Sequence, residues 1–243
     1  MTTRARSFDS AAALYNANRP GYPPALFDTI QEFSGRPLAG ARVADVGAGT
    51  GIATALLRAR GADVLAVEPG DGMAAELHRS DPTVPVVRGD GDRLPLATGA
   101  FDLLTYAQSW HWTDPDRSVP EARRVLRPDG VLARWWNDLD GTVPWVAAQK
   151  ARIAEHTAPV GRPPRHRQAE AETAPVVRRI RWSRRIPLDA HLANHASHSA
   201  FLLLGAESTA EFTTTERRRL LSLFPDGTID EPYVVTLHLT RFS

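Results

Sequence analysis

The stretch from residue 42 to 57, RVADVGAGTGIATALL, constrains the fold of this chain more than any other. Val43, Ala44 and Val46 read as a buried strand, Gly47, Gly49 and Gly51 as a tight turn, and the apolar spacing that follows as a helix. Strand, glycine turn and helix in that order place a ligand at the carboxyl end of a parallel strand. Missing side chains there allow close approach, and the helix N-terminus favours an anionic group. Spacing then narrows the ligand. A dinucleotide fingerprint wants Gly or Ala at its sixth place, where this chain has Ile52, and Asp45 stands two residues before the first glycine. Beside that carboxylate two phosphates would be repelled, whereas an ammonium or sulfonium would be attracted. Taken alone, the turn fits a cofactor site or a merely tight connection.

The residues downstream add weight to the site. The run DVLAVE over 63–68 is a second strand ending in an acid, with Glu68 19 residues beyond Gly49. That interval suits a carboxylate taking both hydroxyls of a ribose. Pro69 ends the strand, and Met73 opens a helix through His78 where its thioether packs in the core or against an adenine face. Residues 83–87 read as a third strand, after which Asp90, Gly91 and Asp92 follow at its carboxyl end. Residues 100–107 make a fourth strand, left by Gln108, Ser109, Trp110, His111 and Trp112. Asp45, Glu68 and Asp90 thus gather acids from successive strands at one edge.

A chain of 243 residues, 42% hydrophobic and 23% charged, suits a single α/β domain. Without cysteine it has no disulfide, thiolate metal site or cysteine nucleophile. Its first twenty residues lack the apolar core of a signal peptide, so a cytoplasmic protein off the membrane is expected. A net charge of +1 speaks against nucleic acid as partner, although residues 162–185 carry eight arginines against two glutamates on an otherwise acidic body. That segment is either a solvated strand and linker or a surface that draws an anionic substrate.

The remaining segments read in order. Residues 7–18 and 24–33 are helical around a proline break, with Tyr15 and Arg19 near it to close over an anion. Residues 121–126 are helical, 127–130 a turn and 131–136 a fifth strand ending in Trp135, Trp136 and Asn137. The indoles of Trp110, Trp112, Trp135 and Trp136 suggest a lined pocket. Residues 143–156 form a helix, 157–175 a loop and 176–186 a strand. The helix expected over 188–204 puts His191, His195 and His198 on one face if it is unbroken, as pocket-lining, surface or metal-ligating imidazoles, and no metal is the preferred reading. A last helix, from Thr214 or Thr215 through Phe224, precedes an alternating strand over 233–242.

Five motifs in order resemble the class I S-adenosylmethionine-dependent methyltransferases of the small-molecule type. They are VADVGAGTG, VLAVEPGDGM, GDGDRLPL, RVLRPDGVLARWWN and the opening YNANRPGYP with the His111-Trp112 pair. The last two features resemble the branch with trans-aconitate and ubiquinone or menaquinone methyltransferases. The resemblance implies a Rossmann-like, mostly parallel seven-stranded sheet in the order 3-2-1-4-5-7-6, last strand antiparallel, with helices on both faces and a helical substrate cap. It divides the single domain into a helical lid over 1–36, an S-adenosylmethionine-binding core over 37–137, and cap elements with the last two strands over 138–243.

By the same resemblance Gly47, Ala48, Gly49 and Gly51 carry the methionine end of the cofactor and Glu68 holds the ribose, with Asp45 and Pro69 also expected to bind the cofactor. Met73 flanks the adenine, Asp90 takes its exocyclic amine with Gly91 and Asp92 nearby, and Gln108 meets the methionine carboxylate or ammonium. Tyr15 and Arg19 close the lid. His111 faces the substrate as base, and Trp110, Arg134, Trp136, His195 and His198 line the acceptor side. Gly91-Asp92 departs from the Ala-Glu common in the family. The expected function is methyl transfer to a carboxylate or hydroxyl of a small-molecule or peptide acceptor, with transfer to nitrogen or carbon, or donor binding without transfer, as alternatives.

Overall fold

A computed structural model describes residues 19–160 and 174–242. The helix expected over 7–18, with Tyr15, and most of the loop through 173 lie outside them. Strand β1 (Arg42–Val46) is buried beyond its first residue, as a strand with neighbours on both sides requires. It pairs in parallel with β2 (Asp63–Val67) and β4 (Phe101–Ala107). Strand β3 (Val86–Val87) flanks β2, and β5 (Leu126–Leu139) flanks β4. Last come β6 (Val176–Pro187) and β7 (Thr228–Arg241), β7 running antiparallel to both neighbours. The order is 3-2-1-4-5-7-6, as the resemblance implied.

Alternation along the strands sends side chains to two cores. Helices α1 (Pro24–Ser34) and α2 (Ile52–Arg58) cover one face, burying Phe27, Ile30 and Leu57 against Val43, Trp135 and Leu237. On the other, α4 (Pro115–Val125) packs Ala122 and Val125 against Leu104, Tyr106 and Leu132. Helix α3 (Asp71–Ser80) follows β2, and α5 (Pro144–His156) follows β5. Helices α6 (Leu188–Ala196), α7 (Ser199–Leu204) and α8 (Ala206–Leu223) complete the described helices. None is long and apolar enough to cross a membrane.

Several elements differ from the sequence expectation, among them β5, which takes in the turn expected over 127–130, and β7, which starts at Thr228 rather than at residue 233. The third strand is two residues long, because Pro85 brings no N–H to a ladder and Asp81 engages the backbone and hydroxyl of Thr83. Helix α4 starts at Pro115 rather than residue 121: the Asp114 carboxylate accepts the Asp116 N–H as a cap, and Pro120 is tolerated inside. The helix carrying the three histidines breaks at Ser197, whose hydroxyl donates to the Asn194 carbonyl, and His198 is extended. Helix α8 begins well before Thr214.

Candidate active site

Where β1, β2 and β4 end, backbone and side chains enclose a cavity of about 320 Å³. Gly47, Gly49 and Gly51 all have positive φ, 67°, 58° and 88°. The Gly47 and Ala48 N–H groups donate to the Val67 carbonyl at 2.8 and 3.2 Å, pinning the turn to β2. A Cβ on Gly47 would come within 2.5 Å of the Ser109 Cβ, so this position excludes any side chain. A Cβ on Gly49 would meet nothing within 4 Å: here the chain leaves open space against its own backbone.

Glu68 is 6% exposed and lines the cavity. Its Oε2 accepts the Gly49 N–H at 2.8 Å and its Oε1 the Gly70 N–H at 2.7 Å, so the carboxylate is fixed from both sides. A carboxylate oxygen can accept from more than one donor. Pro69 and Met73 line the wall beside it. Asp90 closes an Asx turn, its Oδ1 accepting the N–H groups of Asp92 at 3.0 Å and Arg93 at 3.2 Å. Gly91 answers the departure from the family motif: a Cβ there would lie 2.6 Å from Thr113 Cγ2 and 3.0 Å from Tyr106 Cε1. Asp92 accepts the Asp114 N–H at 2.7 Å, and partial burial, with Asp90 and Asp114 adding to it, raises its pKa.

Past β4, Gln108 holds a positive φ of 58°, uncommon for a residue with a side chain, and lines the cavity with His111. Arg19 and His198 line it too. Burial, with the nearby Arg19 charge and His195 adding to it, pushes the His198 imidazole well below its usual pKa, which keeps it neutral.

Several expected site residues lie elsewhere. Asp45 is fully buried behind the turn, accepting hydroxyls from Thr54 at 2.6 Å and Thr105 at 2.9 Å, and burial raises its pKa. It ties α2 and β4 to β1 and does not line the cavity. Gly51 faces Leu77 of α3 rather than the cavity. Trp110 packs edge-on against Tyr106 at 4.7 Å and carries the Arg134 guanidinium 4.6 Å above its ring, while Trp136 meets His238. None of these three lines the cavity, because they join the α4-side core. His195 is 6% exposed and stands behind His198, ring centroids 5.6 Å apart.

The sequence did not single out Tyr22, Thr50, Tyr106, Ser109 or Thr113 as lining residues. Ser109 had a readable signal, since it directly follows Gln108 where the fourth strand leaves the sheet. His191 also went unassigned. Its Nδ1 is 2.5 Å from Glu231 Oε1 and its Nε2 is 2.9 Å from the Gln149 amide, a pairing that depends on the β6–β7 register.

A glycine cradle with open space at Gly49, a fixed ribose-type acceptor at Glu68 and acids at Asp90 and Asp92 fit a cationic nucleoside donor, and the fold and site define a class I methyltransferase. Known proteins agree. Residues 44–133 match the methyltransferase domain family. The chain is 35% identical over 221 residues to an uncharacterized methyltransferase of Mycobacterium tuberculosis, spanning 90% of this chain and 87% of that one. A demethylmenaquinone methyltransferase of Beutenbergia cavernae is 39% identical over 105 residues, 43% of each chain. A solved structure from Anaeromyxobacter dehalogenans assigned as a type II methyltransferase superposes with a TM-score of 0.72 at 26% identity, covering 92% of this chain and 97% of that one. The chain belongs to the S-adenosylmethionine-dependent methyltransferases, and its cofactor is S-adenosyl-L-methionine.

Proposed function

We propose that the chain O-methylates a carboxylate or hydroxyl of a small-molecule or peptide acceptor. The division of charge in the cavity carries this reading. Glu68, Asp90 and Asp92 follow β2 and β3, while among the described residues Arg19 is the one arginine or lysine of the lining and stands near the neutral His198. Beside Arg19 an anionic oxygen is favoured and a protonated amine is not.

The donor supplies a methyl group on a positively charged sulfur. Gly47, Ala48, Gly49 and Gln108 hold its methionine end, Glu68 the ribose, and Met73, Asp90, Gly91 and Asp92 the base. Residues 1–36 serve as lid, 37–137 as donor core and 138–243 as cap. Alignment and exclusion of water are the main contributions of such a site. For a hydroxyl acceptor His111 takes the departing proton, since imidazole titrates near neutrality. A carboxylate acceptor has no proton to lose, and His111, His198 and Arg19 then hold the acid.

Methyl-labelled S-adenosylmethionine offered with panels of small carboxylates, phenols and amines tests this. Label is expected in carboxylates or hydroxyl compounds, and label confined to amines or carbon would overturn it. His111→Ala separates the two oxygen classes. A fall in kcat by a factor of about 10² to 10⁴ marks a hydroxyl acceptor, whereas a raised acceptor KM with kcat near that of the parent marks a carboxylate.

A further inference from the structure

Asn137 is 5% exposed at the end of β5, outside the cavity lining, and joins three elements. Its Oδ1 accepts the Trp182 indole N–H of β6 at 3.0 Å. An indole nitrogen only donates, so the atom facing it is the oxygen, and the Asn137 NH₂ group is turned the other way. There Nδ2 donates to the Gly21 carbonyl at 3.3 Å. Gly21 lies between Pro20 and Tyr22, and both of these, with Arg19, line the cavity. The Tyr22 ring packs edge-on against Trp135 at 5.6 Å, so segment 19–22 is held by two residues at the end of β5.

The same residues hold the opposite wall. The Gln108 N–H donates to the Trp135 carbonyl at 2.9 Å, and its side-chain amide donates to the Asn137 carbonyl at 3.3 Å. These bonds fix a residue whose φ of 58° is costly without support. Segment 19–22 and the β4 rim thus share one anchor, although neither bonds to the other in the contacts described.

We propose that Asn137 is a positioning residue that locks segment 19–22 to the rim carrying Gln108, so that retention of the methyl donor depends on its amide. The inference rests on the assignment of S-adenosylmethionine to this cavity. Its chemistry is specific to an amide. In Asn137→Asp one oxygen still takes the indole N–H, while the other faces the Gly21 carbonyl, acceptor against acceptor. In Trp182→Phe the indole bond goes and the bond to Gly21 stays.

The test is binding of S-adenosylmethionine to the full chain, by calorimetry for affinity and stopped flow for rates. Asn137→Asp is expected to weaken binding about tenfold, mostly through faster dissociation, and Trp182→Phe less than about twofold. Equal dissociation rates for parent and Asn137→Asp would overturn the proposal. So would an equal loss in Trp182→Phe, which would mark the site as general packing. Should Asn137→Asp fail to fold, Asn137→Ala is read the same way, and hydrogen exchange on the parent decides independently. The donor is expected to slow exchange across residues 19–22, and unchanged exchange in a donor-bound parent would overturn the proposal. A parent that does not bind S-adenosylmethionine would instead remove the cofactor assignment itself.

Discussion

Along the rim from β1 to β3 the polar groups of the site are held by backbone, whereas on the cap side, away from the cavity, buried polar groups are held by other side chains. Glu68 is gripped by two N–H groups and Asp90 by two more. Across the molecule Glu231, fully buried, is reached by Arg184, His191 and Tyr233, and His191 in turn by Gln149. A backbone-held group is set by a local turn and tolerates change around it. A side-chain network is set by tertiary packing, and each member left alone in the interior is costly. The rim from β1 to β3 can therefore stay constant in geometry while the cap side is rebuilt by substitution.

The largest expected effect tests the first half of that contrast. Glu68→Ala removes a charged acceptor from the Gly49 and Gly70 N–H groups and the ribose-type acceptor from the cavity. Bonds to charged groups contribute about 1.5 to 3 kcal/mol each, so S-adenosylmethionine affinity is expected to fall about 100-fold. Calorimetric titration checks it. Affinity within a few-fold of the parent would show that the glycine turn alone holds the donor.

The cap half is expected to be the acid-sensitive one. Burial, with the His191 charge adding to it, pushes His195 down to about 3, and His198 shifts the same way. Both stay neutral in the folded chain, while the unfolded chain protonates them near 6.5, so between those values the unfolded state binds more protons and stability falls as pH falls. His195 alone accounts for about 2 kcal/mol between pH 7 and 5. Hydrogen bonds from His191 and Arg184 outweigh burial and lower the Glu231 pKa, so its contribution is also lost in acid, at lower pH. Asp45 runs the other way, since burial raises its pKa. Melting temperature is expected to drop by roughly 4 to 8 °C from pH 7 to 5, and less steeply in His195→Phe. An equal slope in that variant would place the acid sensitivity outside the cap.

The same contrast explains what the sequence revealed. Strands β1, β2 and β4 were legible because each is a local pattern, a buried apolar run, closed by Gly47 after β1 and by Glu68 after β2. The acids at the sheet edge came with them, and the sheet order came from the family resemblance that these motifs carry. Asp45 misled because a strand-end carboxylate looks the same whether it meets a ligand or, as here, the hydroxyls of Thr54 and Thr105. The cap was poorly legible because its pairings span about forty residues: His191 meets Glu231 through the antiparallel pairing of β6 and β7, which three helices separate in the chain. The break after α6 hinges on one serine hydroxyl. Of the four indoles Trp112 lines the cavity and Trp110 does not, while Trp135 and Trp136 misled through strand geometry. Trp135 and Trp136 are adjacent in sequence, but alternation sends one toward α1 and the other toward the α4 side.

Arg134 offers the smallest effect and the sharpest check on that last point. The sequence placed it on the acceptor side, and the fold sets it over the Trp110 ring, beside Tyr106 and His238 in the strand register. Its Nε is buried without a hydrogen-bond partner among the described residues, and burial pulls its pKa down to about 10. A cation so placed carries a desolvation cost that the ring offsets by about 0.5 to 2 kcal/mol. Arg134→Met keeps the aliphatic stem and removes both terms, so stability should change by less than about 1 kcal/mol in either direction. Turnover should stay within about twofold, since neither Arg134 nor Trp110 lines the cavity. A tenfold loss in kcat/KM with unchanged donor affinity would return β5 to the acceptor site, and the boundary between the two halves would then run through the sheet rather than along the cap.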